Sequence, residues 1–460
     1  MKIMHTSSRL ARTAGMLAVA SALLLAGCDT DEFIEVTDPD TVNPETLQDP
    51  ALLNIVVAGA IGEFTQGYSG SGGDSYLSVS ALLGDEFTST GTFTTRTATD
   101  RRLQQGIQNG NTSDGAYFNL QQARRATKDA ADLVAQFEST SDNRWVRLKA
   151  LEGYAIIPLA EGYCSNIPLS NVAEDGSFEF GQPLTTDQLL SEAITRFDAA
   201  IGGGGPFADL ARIGKGRALV NQGQYAAAAS AVASVATDVV FHIDHSVNGA
   251  SNPIFSLQSN GRYAVSDMEG GNQTGMDYRS ANDPRVQWFE DPAGGFDAQF
   301  QLFVSEKYSG FAAPVALATG VEARLIEAEA ALNANQPAQM IGILNDLRAE
   351  VVDLMTGIQP DYQVDENDAA LDPLVDPGNQ TAREDMLFRE RAFWLFLTGH
   401  RLGDLRRLVR DYGRNQVDVY PSGAYHKGDE HGPDVVFQMD FDETNNPNWD
   451  RNLCSVTSAN

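Results

Sequence analysis

Basic residues are scarce in this 460-residue chain: 32 Lys+Arg stand against 62 Asp+Glu, a formal net charge of −30. Such a chain repels phosphate backbones, which argues against nucleic-acid binding. Long apolar runs are scarce too. Beyond the first 28 residues no segment approaches 18 uncharged apolar residues, so a membrane-spanning helix is not expected. Cysteine occurs only at Cys28, Cys164 and Cys454. A Walker A pattern and an HExxH pair are absent, and around Ser69 and Ser71 the glycines do not flank one serine as a nucleophile elbow requires. The acidic residues never form a run of five, which reads as a solvated face and not an acidic tail. What is present is a 42% hydrophobic content with 22 Phe, 13 Tyr and 4 Trp, enough to bury one large core or two medium ones. The 42 Gly and 18 Pro imply many turns and long ordered loops.

Lys2, Arg9 and Arg12 precede an apolar run from Gly15 to Gly27 that is too short to span a bilayer, so residues 1–27 read as a signal peptide. Leu25-Ala26-Gly27-Cys28 resembles the bacterial lipobox, which implies cleavage before Cys28 and acylation of its thiol. Several acyl chains, at about 0.8 kcal/mol per buried CH₂, would hold the protein to a membrane essentially permanently. Residues 28–44, rich in Asp, Thr and Pro, read as a lipidated tether. After processing, Cys164 and Cys454 remain as an even pair in an oxidising compartment. A disulfide between them is expected, the alternative being two buried thiols.

Apolar periodicity predicts a helix on Leu53, Val57 and Phe64, a second from Tyr117 to Phe137, and a third from Trp145 to Leu159, bent or ended near Pro158. A fourth carries Leu190 to Ile201 and is stopped by Gly202–Gly205. The Gly/Ser/Thr-rich stretch between the first two reads as ordered loop. Thr319-Gly320-Val321-Glu322 and Thr381-Ala382-Arg383-Glu384 read as capping boxes, and a turn at Gly399 separates the helix carrying Phe388 and Leu395 from an antiparallel partner on Leu402 and Leu405. Residues 218–226 and 330–338 align at an offset of 112, each a helix end, a Gly/Asn turn and a small-residue helix start. The fold class expected is mainly α with minor β: tetratricopeptide-like helix pairs forming a scaffold, with long loop-rich insertions. The N-terminal helical region covers 45–240, an insertion without sustained period covers 241–318, and a C-terminal region of helix pairs covers 319–460.

Several motifs coincide. Glu306-Lys307-Tyr308, then Glu322-Ala323-Arg324-Leu325-Ile326-Glu327-Ala328-Glu329-Ala330, then Glu390-Arg391, Gly399-His400-Arg401, Asp404-Leu405-Arg406-Arg407 and Asn446-Pro447-Asn448 resemble the SusD/RagB family of outer-membrane nutrient-uptake lipoproteins. Asn252-Pro253-Ile254-Phe255 and Asp283-Pro284-Arg285 are further echoes, whereas Trp394 and Thr398 stand where that family often has Glu. The resemblance implies a non-catalytic, lipid-anchored protein of the cell outer membrane, facing the exterior. Such a protein binds an oligosaccharide, or in some branches a peptide, and hands it to a SusC-like TonB-dependent β-barrel transporter. The competing classes are an envelope scaffold binding other proteins through its helix pairs, and a secreted hydrolase.

The residues are weighed accordingly. Glu390, Arg391, Arg401, Asp404 and Arg406 read as structural ion pairs clamping the last two helices, because Arg401 and Asp404 are three apart and share a helix face. Among 62 acidic residues a hydrolase-like carboxylate pair is trivial to find and carries no weight. His242, His245, His426 and His431 read as solvated loop residues, since no third ligand is visible at metal-site spacing. Asp440, Asp442 and Thr444 lack the turn glycine of a calcium loop. No catalytic residue, metal or cofactor is therefore assigned. Sugar binding needs flat apolar faces beside planar polar groups, and loop aromatics supply them. Trp288, Tyr278, Phe289, Asp277 and Arg279 in the insertion, with Tyr68 and Tyr76 in the early Gly-rich loop, are the candidate ligand-binding residues; Trp145 and Trp394 belong to the core.

Overall fold

A computed structural model describes residues 49–70, 75–104, 112–173, 177–364 and 370–459. The expected signal peptide, Cys28 and the expected tether lie outside them. The chain from Leu53 onward forms one unit. It opens with α1 (Leu53–Tyr68), whose apolar stripe Leu53, Val57, Ala60 and Phe64 is buried. Two helices follow where composition suggested loop, α2 (Tyr76–Leu83) and α3 (Thr94–Asp100), with strand β1 (Phe87–Ser89) between them. Ser75 and Ser78 close a capping box at the start of α2, and all eight of its residues are buried. Burial on every side leaves no amphipathic stripe to read.

Four long helices and a short one continue the scaffold: α4 (Thr112–Phe137), α5 (Asn143–Gly162), α6 (Thr186–Gly203), α7 (Ala208–Asn221) and α8 (Tyr225–Val232). Each packs on the next, and α1 lies along α4. Helix α5 runs through Pro158 to Gly162, and α6 includes Gly202 and Gly203 before Gly204, at φ 75°, ends it. Between α5 and α6, β2 (Ile167–Pro168) pairs with β5 (Pro183–Leu184), and β3 (Asn171–Val172) with β4 (Phe178–Glu179).

The 241–318 insertion is organised by short antiparallel ladders. It holds α9 (Pro253–Ser259) and β7 (Tyr263–Val265), which pairs with β1. A hairpin of β8 (Trp288–Asp291) and β9 (Leu302–Ser305) follows. Its two ends are themselves paired, β6 (Val240–Ile243) against β10 (Val315–Thr319). Period-2 patterning over three to five residues is too short to stand out in the sequence.

The C-terminal region carries α10 (Gly320–Asn333), α11 (Pro337–Ala349), α12 (Val351–Ile358), α13 (Gln380–Trp394), α14 (Arg401–Arg410) and α15 (Gln416–Val419). Thr319 caps α10 by accepting from the Glu322 amide, but the cap of α13 is Asn379, which accepts from Ala382, and not Thr381. The repeat holds atom for atom at its turns. Gly223 (φ 69°) and Asn335 (φ 55°) occupy equivalent left-handed positions, and the bonds Gly223 N to Val220 O and Gln224 N to Leu219 O recur as Asn335 N to Leu332 O and Gln336 N to Ala331 O. Cys164 and Cys454 are joined by a disulfide with Cα atoms 5.2 Å apart. No helix among the described residues is long and apolar enough to cross a membrane.

Candidate functional site

The charged C-terminal motif is buried. Arg391 donates to Asp404 at 2.8 Å, tying α13 to α14, and Arg407 bridges Asp404 at 3.0 Å and Glu329 of α10 at 2.9 Å. Arg391 and Arg407 together hold the Asp404 carboxyl below the usual range despite its burial. The expected Arg401–Asp404 pair does not form: Arg401 reaches Asp85, just after α2, at 2.7 Å. Arg407, also three residues from Asp404, takes its place. Glu390 pairs with Arg285 at 2.6 Å and Arg348 at 2.5 Å. Arg406 donates to the carbonyls of Ala459, Ala160 and Tyr163, fastening the chain end to α5. Apart from Arg348, which is 12% exposed, these side chains are closed to solvent.

A buried turn between α13 and α14 completes this region. Leu397 (φ 53°) and Gly399 (φ 77°) put its backbone outside any ladder, and four successive carbonyls are met by side chains from distant segments. Lys307 donates to Phe396 O, Tyr308 to Leu397 O at 2.7 Å, Tyr68 to Thr398 O at 3.0 Å and Arg217 to Gly399 O at 2.8 Å. The Leu397 amide donates to Glu86 Oε1 at 2.6 Å. Burial pushes the Glu86 carboxyl up to about 8 and the Lys307 ammonium down to about 8.

Tyr68 is thus a core residue. Tyr76, at 6.1 Å from it, and Tyr278, against Phe393 and Phe396, are also fully buried. None of the three can meet a ligand in this fold, a correction whose cause is that the loops expected to display them are packed helix ends and core. Asp277 is held by Arg389. Phe289 is 46% exposed, but alternation along β8 places it on the face opposite Trp288. Asn446 and Asn448 grip the carbonyls of Gly181 and Phe180, and Asn252 caps α9. Asp440 caps a 3₁₀ turn.

One open cleft of about 380 Å³ gathers polar and aromatic groups from five segments, the fifth being Arg279. Thr88 and Thr90 come from β1 and the residue beyond it, 264–271 from β7 and its loop, Phe300 to Phe303 from the β8–β9 hairpin, and Ala424 to His426 from the C-terminal loop. The hairpin tip is laced down, Asp297 N donating to Thr90 O at 2.9 Å and Phe296 N to Gly261 O at 2.7 Å. Arg279 lines the wall with its guanidinium 3.6 Å from the Phe303 ring centroid and 5.6 Å from that of Trp288. Its buried Nε has no hydrogen-bond partner, and burial lowers its affinity for its proton. Of the residues expected to bind ligand, Arg279 lines this cleft and Trp288 backs it.

At the floor, Asp100 Oδ2 accepts from the Ser89 amide at 2.8 Å and the Tyr425 hydroxyl at 2.6 Å. Glu269 is buried beside it, with neither carboxylate oxygen hydrogen-bonded to a donor. Burial raises both carboxyls, and the charge of Asp100 pushes Glu269 higher still. Gly271 and Gly275 let this loop close: a Cβ would stand 2.5 Å from Ala424 N at the first and 2.5 Å from Glu269 N at the second. His426 lies at the rim, edge-on to Phe300 at 5.3 Å. Sequence reasoning missed Asp100, Glu269, Phe300 and Phe303, because no spacing along the chain brings residues 100, 269 and 426 together; His426 is the exposed loop residue expected, and its place at this cleft is what the sequence did not show.

Ser69 Oγ lies 2.9 Å from His245 Nε2, and His245 Nδ1 lies 2.9 Å from Ala250 O. Ser69 is fully buried, so no substrate reaches its hydroxyl.

Solved structures share this architecture. Surface glycan-binding protein A from Bacteroides uniformis matches with a TM-score of 0.60 at 13% identity, over 88% of this chain and 100% of that one. A SusD superfamily protein from Bacteroides fragilis gives 0.58 at 16% identity, covering 83% and 93%. NanU from B. fragilis gives 0.52 at 13% identity, covering 89% and 99%. No protein-family model and no curated protein matches the sequence. At these identities the likeness carries the fold: the mainly helical SusD-like architecture implied by the motifs is the one observed.

Proposed function

We propose that this chain, with its SusD/RagB fold, is a non-catalytic glycan-binding protein that captures an oligosaccharide in the cleft between β1, β7 and the β8–β9 hairpin. The observation that carries the reading is Arg279 at the cleft wall, its guanidinium 3.6 Å over the Phe303 ring and 5.6 Å from that of Trp288 behind it. A guanidinium presents planar donors in fixed directions to sugar hydroxyls, and Phe300 and His426 add flat surface for C–H faces. The excess of 62 acids over 32 bases disfavours polyanions and points to neutral glycans. The fold shared with a surface glycan-binding protein agrees with this cargo.

Acylation at Cys28 would hold the protein at the outer membrane, facing outward, where it would deliver cargo to a SusC-like TonB-dependent transporter. The lipobox-like Leu25-Ala26-Gly27-Cys28 and the tether behind it support the anchor. Co-purification of a large β-barrel with the full-length protein from detergent-solubilised membranes is the expected result for the partner, and its absence would leave a soluble-ligand receptor without a transporter.

The cargo is tested by affinity gel electrophoresis of the form lacking residues 1–28 on a panel of neutral polysaccharides. Arg279→Ala and Phe303→Ala should each weaken retention about tenfold, the loss of roughly 1.4 kcal/mol expected for a stacked polar contact. Retention unchanged in both variants, each folded by circular dichroism, would place the binding surface elsewhere.

A further inference from the structure

We propose that Asp100, Glu269 and His426 bind a divalent first-row transition ion, of which Zn²⁺ is the type, at the floor of the cleft. One ligand atom from each lies within 4.8 Å of the others. His426 Nε2 stands 4.0 Å from Asp100 Oδ2, a few tenths of an ångström wider than the roughly 3.3–3.6 Å edge of a tetrahedral site with bonds of about 2.0–2.2 Å, so the exposed imidazole closes by that much when the ion binds. One imidazole and two carboxylates form a mixed nitrogen and oxygen set suited to Zn²⁺ or Mn²⁺, with the hard, all-oxygen preference of Ca²⁺ less well met.

The independent observation is Glu269. It is 7% exposed, and neither of its carboxylate oxygens, nor Oδ1 of Asp100, accepts from an N–H or a hydroxyl; it abuts the Asp100 carboxyl, a contact that is a hydrogen bond only when a proton lies between the two. Buried polar groups are nearly always satisfied, and a buried carboxylate without donors costs several kcal/mol. The protein's own nearby cations are engaged with other groups. Arg102 donates to the carbonyls of Asp434 and Pro421, and Lys427 to Gly91 O, Ser89 Oγ and Thr97 Oγ1. Two abutting buried carboxyls require either a shared proton or a cation between them. A shared proton would serve only the carboxyls, whereas a cation also uses the imidazole that closes the cluster from the cleft side. His426 Nε2, now 3.0 Å from Ser89 O, would exchange that contact for the ion. The cleft, lined by Glu269 and His426, supplies the entry path and leaves a coordination position facing its interior. The inference concerns the cation alone and stands whatever the cargo.

The test is titration calorimetry and thermal melting of chelator-treated protein with Zn²⁺, Mn²⁺ and Ca²⁺. One equivalent of Zn²⁺ should bind, and at a hundredfold excess over Kd the melting temperature should rise by about 3 °C, since the ion links three segments distant in sequence. Glu269→Gln and His426→Ala should each weaken binding at least tenfold and remove the thermal shift. His426 is at the rim, so its variant keeps the test valid if Glu269→Gln misfolds. Three results would overturn the proposal: no saturable binding of any of the ions; Zn²⁺ binding equally strong in His426→Ala; or stabilisation of metal-free protein by Glu269→Gln with no ion bound by the parent, which would assign the pair a shared proton.

Discussion

Replacing Glu86 by Gln should change how stability responds to pH. Glu86 sits in the buried turn region, where its carboxyl is pushed up to about 8 by burial, partly offset by the Leu397 amide. Between its ordinary value near 4.5 and about 8 the unfolded chain has released this proton while the folded chain retains it. Its contribution to stability is therefore present below about 4.5 and is lost as pH rises to about 8. The slope is at most about 1.36 kcal/mol per pH unit, so from pH 5.5 to 7.5 the parent should lose up to about 2.7 kcal/mol that the Gln variant keeps. The Gln side chain preserves the acceptor for the Leu397 amide. Lys307, pushed down to about 8, titrates in the folded state at the edge of this interval, and the buried histidines contribute equally to both proteins. Urea denaturation followed by tryptophan fluorescence at pH 5.5, 6.5 and 7.5 measures the gap. Curves for parent and variant that stay parallel within about 0.5 kcal/mol would refute the assignment of a neutral, buried Glu86.

Two further predictions concern the scaffold. Glu390→Ala leaves Arg285 and Arg348 without the carboxylate they share, and breaking such a buried pair costs about 3–5 kcal/mol; melting temperature should fall while glycan retention at permissive temperature is unchanged, and equal stability with lost binding would make Glu390 a ligand-binding residue. Replacing Cys164 and Cys454 with Ser opens a closure across 290 residues, which the chain-entropy model values at about 5 kcal/mol; a chemical-denaturation midpoint insensitive to both the double variant and reductant would show the bond to be dispensable.

The helix pairs were legible because their signals are local. Gly223 and Asn335 mark equivalent left-handed turns 112 residues apart, and small residues beside them announce the close approach of helices. Thr319 before Glu322 gave the true start of α10, whereas Thr381 competed with Asn379 two residues earlier, and a cap two residues away is chemically as good. The motifs that carry the family resemblance turn out to be packing devices: Lys307 and Tyr308 satisfy a buried turn, Asp283 and Arg285 brace Glu390, Asn252 caps a helix. The partner of Arg401 was misread because Arg401 and Arg407 stand equally far from Asp404 along the helix, and only the position of Asp85 in space decides between them. The candidate site was least legible. Arg279 and Trp288 fall beside it, but Tyr68, Tyr76 and Tyr278 were misplaced, since an aromatic in a Gly-rich stretch carries no mark of whether the stretch is displayed or folded into the core. Its floor joins residues from 100, 269 and 426, a tertiary coincidence without period or spacing.

The turn at Phe396–Gly399 bears on the order in which this molecule can become native. Its four carbonyls wait for donors at 68, 217, 307 and 308, and its amide for an acceptor at 86. Contacts of such span make folding slow, because loop closure is paid for before the contact rewards it. The donors come from α1, α7 and the end of the insertion, so a ribosome must have passed residue 396 before the first of them finds its acceptor and residue 399 before the last does. Until then Tyr68 and Lys307 lack the carbonyls they serve, and Arg217, although paired with Glu161 between α5 and α7, lacks its bond to the turn. Folding of the whole is therefore expected to be a late, single event, and chains truncated before the turn should remain protease-sensitive however many helices they contain.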